Sequence, residues 1–114
     1  MHVTRFEEAR PYEAKAHFGM VALQLHGGAA NRTGLLTCGF SHFLPGGGAE
    51  RSTSPLEKFY YVVAGHITLV TDLGEVTLGP NDSCWLAPGE ARAIQNRGNE
   101  VASIVVVLAK DKVE

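Results

Sequence analysis

The stretch ERSTSPLEKFYYVVAG, residues 50–65, decides how this chain is read. Its second half, Phe59–Ala64, strings aromatic and β-branched residues together and closes on Gly65, which is the composition of a β-strand entering a tight turn. Its first half crowds Glu50, Arg51, Glu57 and Lys58 with the hydroxyls of Ser52, Thr53 and Ser54, without a His or a Cys. A loop this rich in charge beside a strand this apolar raises the question of what it binds.

The same texture runs outward in both directions. Short apolar runs at Met20–His26, Leu35–Leu44, Ile67–Thr71, Glu75–Leu78, Ser83–Ala87, Ala91–Gln95 and Val101–Leu108 join Phe59–Ala64 as strand candidates. Turn-forming segments such as HGGAANRTG, TDLGE, GPND, APGE and NRGNE separate them. Phe6–Ala16 has room for one helical turn, and Pro11 argues against more. Eight short strands without a helical pattern predict an all-β sandwich or barrel.

Period-2 alternation assigns the faces. In Leu35–Leu44 the more apolar set is Leu36, Cys38, Phe40, His42 and Leu44, which predicts that His42 points into the barrel. Phe59–Ala64 and Val101–Leu108 are apolar on both faces, while a small barrel has one interior. A second copy covering the outside, in a C2 dimer, is the simplest resolution. Cys84 and Trp85 are neighbours and face opposite ways; which of them lines the barrel stays open.

Composition narrows the function. The 114 residues make one domain, with 45% hydrophobic and 19% charged residues and a net charge of −2. Neither a basic field nor a Lys/Arg cluster is present to hold nucleic acid. The N-terminus lacks an apolar signal region, and the longest apolar run, Ile104–Ala109, is too short for a membrane span. A cytoplasmic protein with Cys38 and Cys84 as reduced thiols is expected.

Spacing then becomes specific. Gly46, five residues, Ser52-x-Ser54, three residues, Lys58, six residues and Gly65 form one frame; Asn81, Ala87-Pro88-Gly89, Arg92 and Asn96 form a second, fifteen residues on. Together with SHFLPGGG, EKFYYVVAGHITL and VTLGPNDSCWLAPGEARAIQN, the chain resembles the small single-domain cupins over residues 33–108, with 1–17 as an N-terminal segment. The resemblance implies a double-stranded β-helix (jelly-roll) barrel, usually dimeric. It also implies that Ser52, Ser54, Lys58 and Arg92 stand where most cupins carry three His and one Glu around a metal. Hydroxyls are poor ligands for such metals and cations repel them. Sliding the frame by one brings in Glu57 but sets Arg51 and Thr53 at the His positions. No cofactor is therefore expected, with a transition metal relocated near His42, Glu50 and Glu57 as the alternative.

Lys58 and Arg92 on one spot would anchor a carboxylate or phosphate, with Ser52, Ser54 and Asn96 as further ligand-binding groups. The competing view pairs Lys58 with Glu50 or Glu57 at the rim and lets Arg92 reach water. His42 and Tyr60 are the acid/base candidates; His66, His2 and His17 read as surface, and His26 sits with Gln24 opposite an apolar face. Gly46-Gly47-Gly48 reads as a strand-to-loop turn, since a phosphate loop would need a Lys and a following helix. The expected function is metal-free binding of a small anionic molecule, whether carboxylate, sugar acid or sugar phosphate. The alternatives are an enzyme of isomerase, epimerase, lyase or dioxygenase type, and a structural dimer with a vestigial pocket.

Overall fold

The computed structural model describes residues 1–110. A single 3₁₀ turn, Phe6–Glu8, precedes β1 (Arg10–Tyr12), β2 (His17–His26), β3 (Leu36–Ser52), β4 (Lys58–Ala64), β5 (Ile67–Thr71), β6 (Gly74–Leu78), β7 (Ser83–Leu86), β8 (Arg92–Gln95) and β9 (Ala102–Ala109). All pairings are antiparallel, in the order β6-β5-β8-β3-β9-β4-β7, with β2 added to β3 and β1 to β2. The sheet curls into a nearly closed barrel, one of the two all-β forms the strand pattern predicts, in the jelly-roll form that the cupin resemblance implies. Among the described residues no helix is long and apolar enough to cross a membrane.

One strand does most of the joining. β3 runs through Pro45-Gly46-Gly47-Gly48, which the sequence reading took for the end of the strand. Residues 36–43 pair with β9, whereas Gly48, Ala49 and Ser52 pair with β8. The glycines turn that corner because neighbouring backbone leaves no room for a Cβ: at Gly47 it would meet Gly19, and at Gly48 it would meet Ile94.

Phe43, Val62, Ile67, Leu69, Ile94 and Ile104 are fully buried in the interior. Each such side chain contributes about 1.5–3 kcal/mol relative to exposure. Tyr60 and Val62 face in with them; Phe59 and Val63 face out. Cys84 packs against this core and Trp85 stands outside at 59% exposure, which settles the neighbouring pair. Burial pushes the Cys84 thiol up to about 11, so it behaves as a small apolar side chain.

The face assignment for β3 is reversed. Ser41 and Phe43 are buried inside, while Leu36 and Leu44 are more than half exposed. His42 therefore lies outside the barrel, paired across strands with Val21 and Ser103. Phe6 on the 3₁₀ turn packs edge-on to Phe40 and His42, covering an outer face that looked like core from composition alone. The inner face can be less apolar because its small residues make room: the Tyr12 hydroxyl would lie 3.2 Å from a Cβ at Gly39.

Candidate functional site

Arg92 begins β8, opposite Ser52 at the end of β3. It is almost wholly buried, with only 4% of it exposed. Its Nε donates to Tyr60 Oη at 3.1 Å, and its Nη1 donates to Ser52 Oγ at 2.8 Å and to the Glu50 carbonyl at 3.4 Å. Every one of these acceptors is neutral. Among the described residues Nη2 makes no hydrogen bond, and the ion pairs are Arg51–Asp72 and Arg97–Glu75, both on the surface.

Lys58 begins β4 beside it and is half-buried. Burial lowers its pKa, and the Arg92 charge lowers it further. The rim partners proposed for it are engaged elsewhere or apart: Glu57 accepts from Trp85 Nε1 at 2.9 Å, and Glu50 is exposed and forms no ion pair among the described residues. Among the described residues, no carboxylate lies within ion-pairing distance of either cation.

Both line a cavity of about 120 Å³, room for about four waters. Its polar wall is Tyr12, His17, Ser41, Lys58, Tyr60 and Arg92, and its apolar wall is formed by Phe43, Ile94, Ile104, Val106 and Leu108. Behind Arg92 lies a tight recess bordered by Ser52, Ser54, Leu86 and Glu90. A larger hollow of about 300 Å³ sits outside the barrel against the N-terminal segment, where Glu8 and Arg10 carry opposite charges. It lacks the concentration of one sign that marks the interior cavity.

The structure brings Ser52, Lys58, Tyr60 and Arg92 together, with Ser54 at the recess, and leaves His42 and Asn96 out. Asn96 is buried, and its amide nitrogen donates to the Phe43 and Glu100 carbonyls at 2.9 and 2.8 Å. Its amide oxygen accepts from Gly98 N at 3.1 Å, so the side chain clamps strand ends and does not line the cavity. His42 Nδ1 hydrogen-bonds Ser103 Oγ at 2.8 Å beneath Phe40.

Three polar wall residues lie outside the candidates read from the sequence: Ser41, through the reversed face of β3, and Tyr12 and His17. Tyr12 comes from an edge strand too short to register as a pattern, and burial raises its phenol pKa. His17 had been placed on the surface, but it pairs with Ala49 and stacks on Phe43 at 6.3 Å. The register slips between Phe18 and Met20, so His17 and Met20 share the inner side despite their odd spacing. Gly19 inside an apolar run was the available signal. Burial chiefly lowers the His17 pKa, with Arg92 and Lys58 adding to it and a hydrogen bond to the Lys15 carbonyl opposing. Tyr60 is held neutral: burial raises its pKa more than Arg92 lowers it.

The donor set does not fit a transition metal. Ser52 Oγ already accepts from Arg92, Ser54 Oγ accepts from Leu56 N at 3.1 Å, and the other two positions are cationic. Among the described residues no group of three or more His, Cys, Asp or Glu is placed to hold a metal.

A nearly closed antiparallel jelly roll with this motif frame is a cupin barrel. The cupin domain family matches residues 39–108, and the chain belongs to that family. A β-D-galactosidase of Mycobacterium tuberculosis is 38% identical over 109 residues, spanning 96% of this chain and 94% of its own. Among solved structures, a polyketide cyclase of Streptomyces resistomycificus superposes with a TM-score of 0.86 at 16% identity, over 98% of this chain and 81% of its own. A sugar phosphate isomerase of Silicibacter pomeroyi gives 0.72 at 23% identity, over 90% and 68%. At these identities the structural likenesses establish the fold alone.

Proposed function

We propose that the barrel interior anchors a small acidic molecule through Arg92, with Lys58 as the second anchor. The observation that carries this reading is a nearly fully buried guanidinium whose hydrogen-bond partners are all neutral. An unpaired buried cation costs several kcal/mol, and a ligand carboxylate or phosphate offsets that cost when it binds. The hydroxyls of Tyr12, Tyr60 and Ser41 suit a polyhydroxylated body, and the galactosidase relative favours a sugar of the galactose type. A sugar acid or sugar phosphate is the ligand class.

Calorimetry with galacturonate, galactose 6-phosphate and galactose tests it. Both acids bind and the neutral sugar does not, and Arg92→Met loses about a hundredfold or more, as expected for a charge-assisted contact. Equal binding of galactose, or full affinity in Arg92→Met, overturns the reading.

The 38% identity over nearly the whole chain favours a second reading, glycoside hydrolysis. Two carboxyl groups flank the bond in most such enzymes. Glu90 borders the Arg92 recess, and its Oε1 accepts from Ala87 N at 3.0 Å. Release of nitrophenol from nitrophenyl β-D-galactoside, lost in Glu90→Gln, would place the protein with its relative; no release above background sets that reading aside. Acid/base chemistry of the isomerase type would fall to His17 and Tyr60, which wall the cavity, and not to His42.

The partner we infer is a second copy of the chain. Cross-strand neighbours Cys38, Val107, Phe59 and Trp85 carry an apolar outer face across four strands. Phe59 and Trp85 are 39% and 59% exposed on it. Sedimentation should give a dimer for the wild type and a monomer for Trp85→Glu; a monomeric wild type refutes the pairing.

A further inference from the structure

We propose that His17 is a third anchor of the cavity, one that gains its charge when an anion arrives, so that binding takes up a proton. The inference rests on the anion-pocket reading and adds a residue and a charge state to it.

The geometry supplies the switch. His17 shares the cavity wall with Lys58 and Arg92, and its ring is held in place by stacking on Phe43. Its Nδ1 lies 2.7 Å from the Lys15 carbonyl oxygen. A carbonyl cannot donate, so Nδ1 carries a hydrogen in the neutral ring as well as in the cation. The proton that comes and goes is therefore the one on Nε2. The preceding Ala16, at φ +59°, fixes this turn in the left-handed region, which a non-glycine residue seldom adopts. Ala16 is tied down in turn by Glu50 N, which donates to its carbonyl at 2.9 Å.

Charge decides which form is present. His17 meets Lys58 and Tyr60 from β4, Arg92 from β8 and Tyr12 from β1, and the solvent-exposed carboxylates of Glu13 and Glu50 flank its turn. Inside the cavity the fixed charges are both positive, and with burial they hold the imidazole neutral. An anion between Lys58 and Arg92 reverses the sign of the field at the ring. The imidazolium then becomes the favoured form and donates to the ligand.

The sign follows by linkage. The histidine titrates below its ordinary range in the free protein and higher in the complex. Between the two values binding takes up a proton, and affinity rises as pH falls; outside that window affinity is flat. A ligand lacking charge gains nothing, which makes His17 a selector for acids.

The experiment uses galacturonate and sulfate, neither of which titrates between about pH 5.5 and about pH 7.5. Calorimetry in two buffers of different ionisation enthalpy reads the proton, and imidazole NMR reads His17 itself. Expected are uptake of up to about one proton per anion, affinity rising by up to about tenfold across that range, and an upward-moving His17 titration on binding. In His17→Gln the proton uptake disappears, and the binding that remains no longer varies with pH across that range. Anion binding that depends on Arg92 but shows neither uptake nor a moving His17 titration overturns the inference and leaves the pocket reading standing. If neither anion binds the wild type, the pocket reading and this inference fall together.

Discussion

The two ends of the barrel interior are built on opposite terms. At one end Val62, Ile67 and Leu69 fill the space with side chains that ask nothing of their neighbours beyond shape. At the other, Arg92, Lys58, Tyr60 and His17 wall an open volume with one buried and one half-buried cation. The first end supplies the stability that the second consumes. A charged cavity that weakens the free fold is a feature to be explained by a ligand, since packing alone would have filled it with leucine.

The contrast can be broken by mutation. The largest effect falls at the apolar end: Leu69→Ala, at a side chain 1% exposed, should cost about 2–5 kcal/mol in chemical denaturation, from lost burial plus the void left behind. A loss under about 1 kcal/mol would mean that the two ends are not distinct. At the polar end Arg92→Met removes donors from Tyr60 and Ser52, costing about 1–3 kcal/mol each, but also relieves an unpaired buried charge worth several. Unfolding free energy should therefore change little, by about 1 kcal/mol or less. A large loss would show that Arg92 serves the fold.

A smaller effect sharpens the same comparison through pH. Because the folded His17 has a lowered pKa, the unfolded chain binds the proton more readily. Stability of the ligand-free protein should fall as pH drops below the ordinary imidazole range near about 6.5, and this component should vanish in His17→Gln. An unchanged slope in the variant would assign the acid sensitivity to other groups. Least of all, Arg51→Ala breaks a 2.6 Å ion pair with Asp72 whose partners are mostly exposed. A shift within about 0.5 kcal/mol is expected in the same denaturation assay.

What could be read beforehand divides along physical lines. Strand positions and the family frame survive in single residues because backbone geometry demands them. Gly65 turns at φ +74° with the backbone at Val101 in the way of any Cβ, and Asn81, which opens the second frame, holds φ +72°. The convergence of Lys58 with Arg92 followed from that frame. The side to which β3 turns did not, since a strand covered on both faces has no polar face to betray it. Phe6, which covers His42, lies thirty-six positions away in sequence. His17 was hidden by the register shift between Phe18 and Met20, which breaks the alternation that would have placed it.

The long bent β3 also says how this molecule must assemble. Its early residues are hydrogen-bonded to β2 and β9 and its late residues to β8, so partners from both ends of the chain meet on one strand. No hairpin in isolation completes either the core or the cavity. Closing such distant loops comes before any reward from packing, which points to cooperative, all-or-none folding on the millisecond-to-second scale of high-contact-order β proteins. The pocket then exists only once the last strand is home.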